Sequence, residues 1–305
     1  MSTRRKVMIA AGAILVIIAI TIGVVQQSGS SDEITVAKLA QQTHFHGIAV
    51  DPKDSSRLLL ATHHGLYAVH LDGSAERISE TTDDYMGFMP HPADPEIMYA
   101  SGHPAGGGNL GFVESRDGGQ SWTQLSPGAA GLADFHSLTV SPAEPKILYG
   151  ASGGVLQMSR DGGATWVTIG PAPEGLIDLA ASAKSPQELL AGTKRGLLRS
   201  TDGGKSWIPA YGSNPVPLVQ VTPKGTVFAF VIGTGLLRAE EPDLAWSSTR
   251  AKLGGRYILH LAVDPSDERK LYSITLDRAT EAQEILASTD AGETWIPLGS
   301  ISTSE

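Results

Sequence analysis

The chain has no cysteine, which removes disulfides, thiolate metal sites, thiol nucleophiles and a lipid-modified cysteine at once. It is also short of positive charge. With 23 Lys and Arg against 32 Asp and Glu the formal net charge is −9, and outside the N-terminal Arg4, Arg5 and Lys6 only 20 basic residues face those 32 acidic ones. A phosphate backbone would be repelled by such a surface, so nucleic acid is not an expected partner. Aromatic residues make up only 6%, with five tryptophans, whereas 35 glycines and 18 prolines point to many short strands joined by tight turns.

One long apolar run is present. Arg4-Arg5-Lys6 is followed by the 19 uncharged, mostly apolar residues from Val7 to Val25, and then by a polar, Ser-rich stretch from Gln26 to Glu33. As a helix, that run would cross a bilayer core, which needs about 17–25 residues. A cleaved secretory signal has a shorter apolar core of about 7–15 residues. The expected arrangement is therefore an uncleaved signal anchor in residues 1–30, with residues 31–305 outside the cytoplasm because basic residues stay inside. Cleavage near Ser28-Gly29-Ser30, giving a secreted protein, is the alternative.

An eight-residue pattern recurs four times: Ser115 to Trp122, Ser159 to Trp166, Ser200 to Trp207 and Ser288 to Trp295. Each copy reads Ser-x-Asp-x-Gly-x-x-Trp, with Asp117, Asp161, Asp202 and Asp290 third and Gly119, Gly163, Gly204 and Gly292 fifth. A degraded copy from Ala239 to Trp246 puts Glu241 where the aspartate stands, so all five tryptophans share one repeat position. The chemistry suits a hairpin, because Asp and Ser side chains can bond the amides that the turn leaves unpaired while the Trp re-enters the next strand. These aspartates are read as structural.

Around each copy the same segments return, for example Ser137–Val140, Lys146 to Tyr149, Val155 to Met158, the repeat turn, and Trp166 to Ile169. Four short β-type runs per repeat make one propeller blade. Innermost strands starting near residues 46, 86, 136, 177, 217 and 259 predict six blades, with seven as the alternative, and a decayed turn at His70 to Arg77 in blade 1. The segment Glu33 to Leu39 reads as an outer strand, as does Trp295 to Leu298, and either could close the ring.

The pattern resembles the BNR/Asp-box repeat of sialidases, of the sortilin luminal propeller and of photosystem II assembly-factor-like propellers. The opening His44-Phe-His-Gly-Ile-Ala-Val-Asp-Pro52 is most similar to exported bacterial proteins labelled BNR glycosylhydrolases. The resemblance covers roughly residues 33–300 and implies an all-β propeller, but fold does not fix activity. A sialidase of this kind needs three arginines on the axial face. Arg195 and Arg256 can reach it here, but a third arginine is hard to find, since Arg116, Arg160 and Arg199 lie in or beside the repeat turns at the opposite end. A typical sialidase is not expected; another carboxylate-pair hydrolase would draw on Asp84 and Asp134, with Asp83 nearby.

Seven of nine histidines fall between residues 44 and 103, and an eighth is His136. Aligned on Pro52, Pro92 and Pro142, the first three inner strands open His44-Phe45-His46, Asp84-Tyr85-Met86 and Asp134-Phe135-His136. Residues two apart on a strand share a side. The aromatics should therefore pack between blades, and His44, His46, Asp84, Met86, Asp134 and His136 should flank the channel as a ligand-binding lip. His63, His64 and His103 sit on loops expected at the same face. Imidazole with a thioether suits copper, and imidazole with carboxylate suits zinc or another divalent ion. The candidate metal ligands are thus His46, His136, Met86, His63, His64 and His103, although the same residues equally suit a wet channel lining. His70 and His91 read as structural, and His260, one residue out of register, is expected to face away.

Three functions follow: a non-catalytic binding module outside the membrane, taking a metal or polar ligand and a protein or glycan partner; an exported glycoside hydrolase; or an assembly factor that docks proteins on its rim.

Overall fold

The computed structural model describes residues 34–300, and the apolar N-terminal segment lies outside them. Among the described residues no helix is long and apolar enough to cross a membrane. Those residues form a six-bladed β-propeller of antiparallel blades, each built of four strands in sequence order, with a short fifth strand added to blade 1. Blade 1 comprises Phe45–Asp51, Asp54–Thr62, Gly65–His70 and Ser74–Arg77; blade 2, Asp84–Pro90, Met98–His103, Phe112–Ser115 and Thr123–Ser126. The inner strands of blades 3 to 6 are Ser137–Val140, Leu176–Ala181, Leu218–Val221 and Arg256–Val263.

The four repeat turns are nearly superimposable in their bonding. In the second, Ser159 Oγ donates to Asp161 Oδ1 at 2.8 Å and accepts from Gly163 N–H at 2.8 Å. Asp161 then accepts from the Thr165 amide at 2.9 Å and its hydroxyl at 2.6 Å, and Trp166 Nε1 donates to Gly163 O at 3.1 Å. Ser115 with Asp117, Ser200 with Asp202, and Ser288 with Asp290 repeat the scheme. The fifth-position glycine is required twice over. Gly163 has φ +92°, and a Cβ there would stand 2.1 Å from the Phe112 ring of blade 2, so the turn presses backbone against the preceding blade. The degraded copy does something else: Glu241 Oε2 reaches blade 4 and accepts from the Ala183 amide at 3.0 Å.

The aromatics expected between blades are there. Phe45, Tyr85 and Phe135 are at most 1% exposed, with Tyr85 4.7 Å from the Trp122 ring and Phe135 4.7 Å from Trp166.

Neither terminal segment exchanges strands between blades. Ile34–Thr35 pairs with Ser74–Arg77 as a fifth strand of blade 1, and Ile296–Pro297 pairs with Gln283–Ser288 in blade 6. The predicted outer strand over Glu33 to Leu39 stops at Thr35, whose hydroxyl caps a one-turn helix, Val36–Leu39, by accepting from Lys38 N–H at 3.2 Å. Val36 and Leu39, three apart and so on one helix face, are buried in a core shared by blade 1 residues Leu58, Leu60 and Val69 and blade 6 residues Ile274 and Ile285. Helical spacing thus buries both apolar residues in the seam. Burial of that seam joins the first blade to the last.

Candidate metal centre at the channel mouth

The inner strands surround a channel of about 310 Å³ lined largely by Ala, Val, Leu and Pro, with His46, His91, His136, Thr139, Asp178, Gln220 and His260 as its polar groups. Its mouth, where the inner strands of blades 1 to 3 begin, gathers most of the histidines. Local bonding fixes the pieces. Thr62 Oγ1 donates to Gly65 O at 3.0 Å and accepts from the His64 amide at 2.9 Å, closing the turn that carries His63. Gly102, at φ +113°, lets its strand approach Asp84, whose carbonyl oxygen would lie 2.1 Å from a Cβ there; His103 follows directly. Phe135 N–H donates to buried Ser101 Oγ at 2.9 Å, tying the Asp134-Phe135-His136 segment to blade 2.

The result is a chain of alternating imidazoles and carboxylates. Asp84 Oδ1 lies 3.6 Å from His46 Nε2, while Asp84 Oδ2 lies 2.9 Å from His63 Nδ1 and 3.6 Å from His103 Nδ1. The other nitrogen of His103 stands 3.5 Å from Asp134 Oδ2, which His136 Nε2 also reaches at 2.7 Å. His46, His63 and Asp84 can each offer a donor atom with all three atoms within 4.8 Å of one another. His44 adds only an edge contact, 5.7 Å from the His63 ring.

Three atoms of this chain, His46 Nε2, Asp84 Oδ1 and Asp134 Oδ1, are buried without a hydrogen-bond partner. Burying polar atoms unsatisfied is costly, so a built cluster of this kind fits a bound cation. Burial lowers the His46 pKa to about 4; the Asp84 carboxylate opposes that shift, and His63, His44 and His136 add to it. A neutral imidazole is the form a metal requires. The His136 pKa moves up instead, because of its bond to Asp134.

Not every candidate joins the cluster. His64 is exposed at the hairpin tip, and Met89 rather than Met86 lines the channel. The register of the blade 2 inner strand shifts between Met86 and Met89, which shifts the alternation by a residue. The same device overturns the expectation for His260. A register shift between Ile258 and His260 turns His260 into the channel, where burial and His46 lower its pKa to about 4. In blade 4 a shift between Leu176 and Asp178 does the same for Asp178. Asp178 accepts from the amides of Leu179 at 2.9 Å and Val219 at 2.8 Å, yet burial holds its pKa up at about 7. Asp83, the neighbour of Asp84, is spent on the loop, accepting from Ala105 N–H at 2.9 Å.

Solved propellers share this fold. The GH74 xyloglucanase from Xanthomonas campestris matches with a TM-score of 0.57 at 19% identity, over 84% of this chain and 45% of the enzyme. YCF48 from Cyanidioschyzon merolae matches with a TM-score of 0.50 at 15% identity over 84% of each chain. A protein of unknown function from Bacteroides thetaiotaomicron gives 0.60 at 11% identity, over 80% of this chain and 69% of that one. The chain spans less than half the length of the GH74 structures, and at such identities the likeness establishes architecture alone. No protein-family model matches the sequence, and no curated protein matches it either.

Proposed function

We propose that this protein is an extracytoplasmic Asp-box propeller, tethered by its N-terminal apolar segment, that acts as a non-catalytic binding module through a divalent-metal site at the mouth of blades 1 to 3. The observation that carries the reading is Asp84, set among the nitrogens of His46, His63 and His103 with two donor atoms buried and unpartnered. Imidazoles with one carboxylate suit zinc or copper(II) over calcium or magnesium, which favour oxygen shells. A bound ion with an open position would present a Lewis-acidic point to an extracytoplasmic protein or glycan. Titration of the tag-free chain in mild detergent with Zn(II), Cu(II) and Mg(II) tests this. Zinc and copper should bind and raise the melting temperature, magnesium should not, and His46→Ala should lose the effect; no binding of either transition metal would overturn the reading.

A glycoside hydrolase is the second reading, favoured by the placing of Asp84 and Asp134 on one axial face, both within reach of His103. Each carboxylate is already engaged by an imidazole, which leaves neither free to act as the paired acid and base of such an enzyme. Hydrolysis of chromogenic glycosides by the wild type that is abolished in both Asp84→Asn and Asp134→Asn would favour it over the binding module.

A further inference from the structure

Resting on the metal reading of Asp84, we infer that the mouth is a two-ion centre in which the His103 ring bridges one ion held with His46, His63 and Asp84 and a second held with Asp134 and His136. Among the described residues, His103 is the only one whose two ring nitrogens each face a different carboxylate: Nδ1 stands 3.6 Å from Asp84 Oδ2 and Nε2 stands 3.5 Å from Asp134 Oδ2.

The distances separate ligation from hydrogen bonding. Hydrogen bonds between such groups run about 2.7–3.0 Å. Two donor atoms on one tetrahedral ion, each about 2.0–2.2 Å from it, stand about 3.3–3.6 Å apart. Both contacts of His103, and that of His46 Nε2 with Asp84 Oδ1 at 3.6 Å, have the ligand spacing. On each side of the bridge a carboxylate oxygen is buried and unpartnered, Asp84 Oδ1 on one and Asp134 Oδ1 on the other. The remaining imidazoles make ordinary hydrogen bonds, His63 to Asp84 at 2.9 Å and His136 to Asp134 at 2.7 Å. Among the described residues only His46, His63 and Asp84 already bring their donor atoms within 4.8 Å of one another, so His63 and His136, whose side chains are 43% and 58% exposed, must turn for each ion to gather its ligands with His103.

The ligand charge offsets all but one unit of the ions' charge. When both nitrogens of His103 bind ions, the ring gives up its remaining N–H proton to solvent and becomes an imidazolate. Two divalent ions then face three negative ligands: Asp84, Asp134 and the bridging ring. Ions on opposite sides of an imidazole lie about 6 Å apart, given metal–nitrogen bonds of about 2 Å. Two-metal hydrolases hold theirs about 3.5–4 Å apart, around one shared oxygen. The wider spacing suits a partner offering two separate donor groups, in keeping with binding over hydrolysis.

The test is stoichiometry together with magnetic coupling in the tag-free full-length chain, solubilised in mild detergent and loaded with Zn(II) or Cu(II). The expected result is two ions per chain by elemental analysis and, for copper, an EPR signal well below the total copper because the imidazolate couples the two spins. Asp134→Asn combined with His136→Ala should bring the count from two to one and restore the full signal of the single copper. If the double variant does not fold, His136→Ala alone, at an exposed position, should weaken the second ion at least tenfold. One ion per chain in the wild type overturns the bridge while leaving the single-ion site standing, whereas no ion at all removes both. Two ions with undiminished EPR intensity also overturn it.

Discussion

The side-chain amide of Gln283, in blade 6, grips the main chain of Phe45, in blade 1, at both ends: Oε1 accepts from the Phe45 N–H at 2.7 Å and Nε2 donates to its carbonyl at 3.3 Å. Because no strand crosses between the first and last blades, the ring closes through this clasp, the buried seam beside it and the Gly299 N–H bond to Leu71 O at 3.1 Å. The clasp also sets the start of the strand that carries His46.

Gln283→Ala should therefore lower global stability by about 1–3 kcal/mol, the range for removing a hydrogen-bonding group and leaving partners unsatisfied. Chemical unfolding monitored by tryptophan fluorescence reads this directly. A change under about 0.3 kcal/mol would mean that the apolar seam and the Gly299–Leu71 bond close the ring without the clasp.

The tryptophans of the repeat turns are not equivalent. Trp166 is 7% exposed, lies 5.3 Å from Phe112 and 4.7 Å from Phe135, and donates to both Gly163 O and Ser126 Oγ at 3.1 Å. Trp207 makes the turn's own bond to Gly204 O but is only partly buried. Trp166→Ala should cost about 3–5 kcal/mol, the usual loss for a large buried aromatic, and Trp207→Ala clearly less. Equal losses in paired unfolding curves would contradict this ranking.

Removing the acid of one turn should be milder and pH-dependent. The carboxylate of Asp202, bonded to the amide and hydroxyl of Ser206, has its pKa pulled down to about 2 from 3.8. Its contribution is present above pH 3.8 and fades as pH falls toward 2. Asp202→Ala should thus destabilise at pH 7 but less so near pH 2, and the two chains should converge in melting temperature as acid is added. A gap that stays constant with pH would show the carboxylate charge to be irrelevant.

Much of this architecture is legible in the residues because it repeats. Four copies of one turn with their tryptophans define the blade period, and the aromatics at 45, 85 and 135 announce a packed column. What resists reading is register. A one-residue bulge leaves no local mark in composition, yet it reverses which face each following side chain meets. Counting by twos from His46 therefore put His260 on the wrong side and gave no sign of Asp178, while the bulge in blade 2 put Met89 in the channel. His63 and His103 fared better, since a loop's end of the propeller follows from strand order alone. Their pairing with particular carboxylates needed coordinates.

Asp178 and His260, the two titratable residues that bulges turn into the channel, should pull stability in opposite directions between pH 4 and 7. The Asp178 pKa is raised from 3.8 to about 7, so its contribution is complete below 3.8 and is lost as pH rises toward 7. The His260 pKa is lowered from 6.5 to about 4, so its contribution is complete above 6.5 and is lost as pH falls toward 4; His46 behaves alike. In the wild type the slopes oppose one another. Asp178→Asn leaves the histidines unopposed, and stability should climb more steeply with pH across this window than in the wild type. His260→Gln should shift the slope the other way. Urea unfolding at pH 4, 5.5 and 7, with a chelator present so that metal binding adds no pH term of its own, measures both. Parallel profiles for all three chains would mean that neither group titrates in this window, and the burial that shifts their pKa values would be wrong.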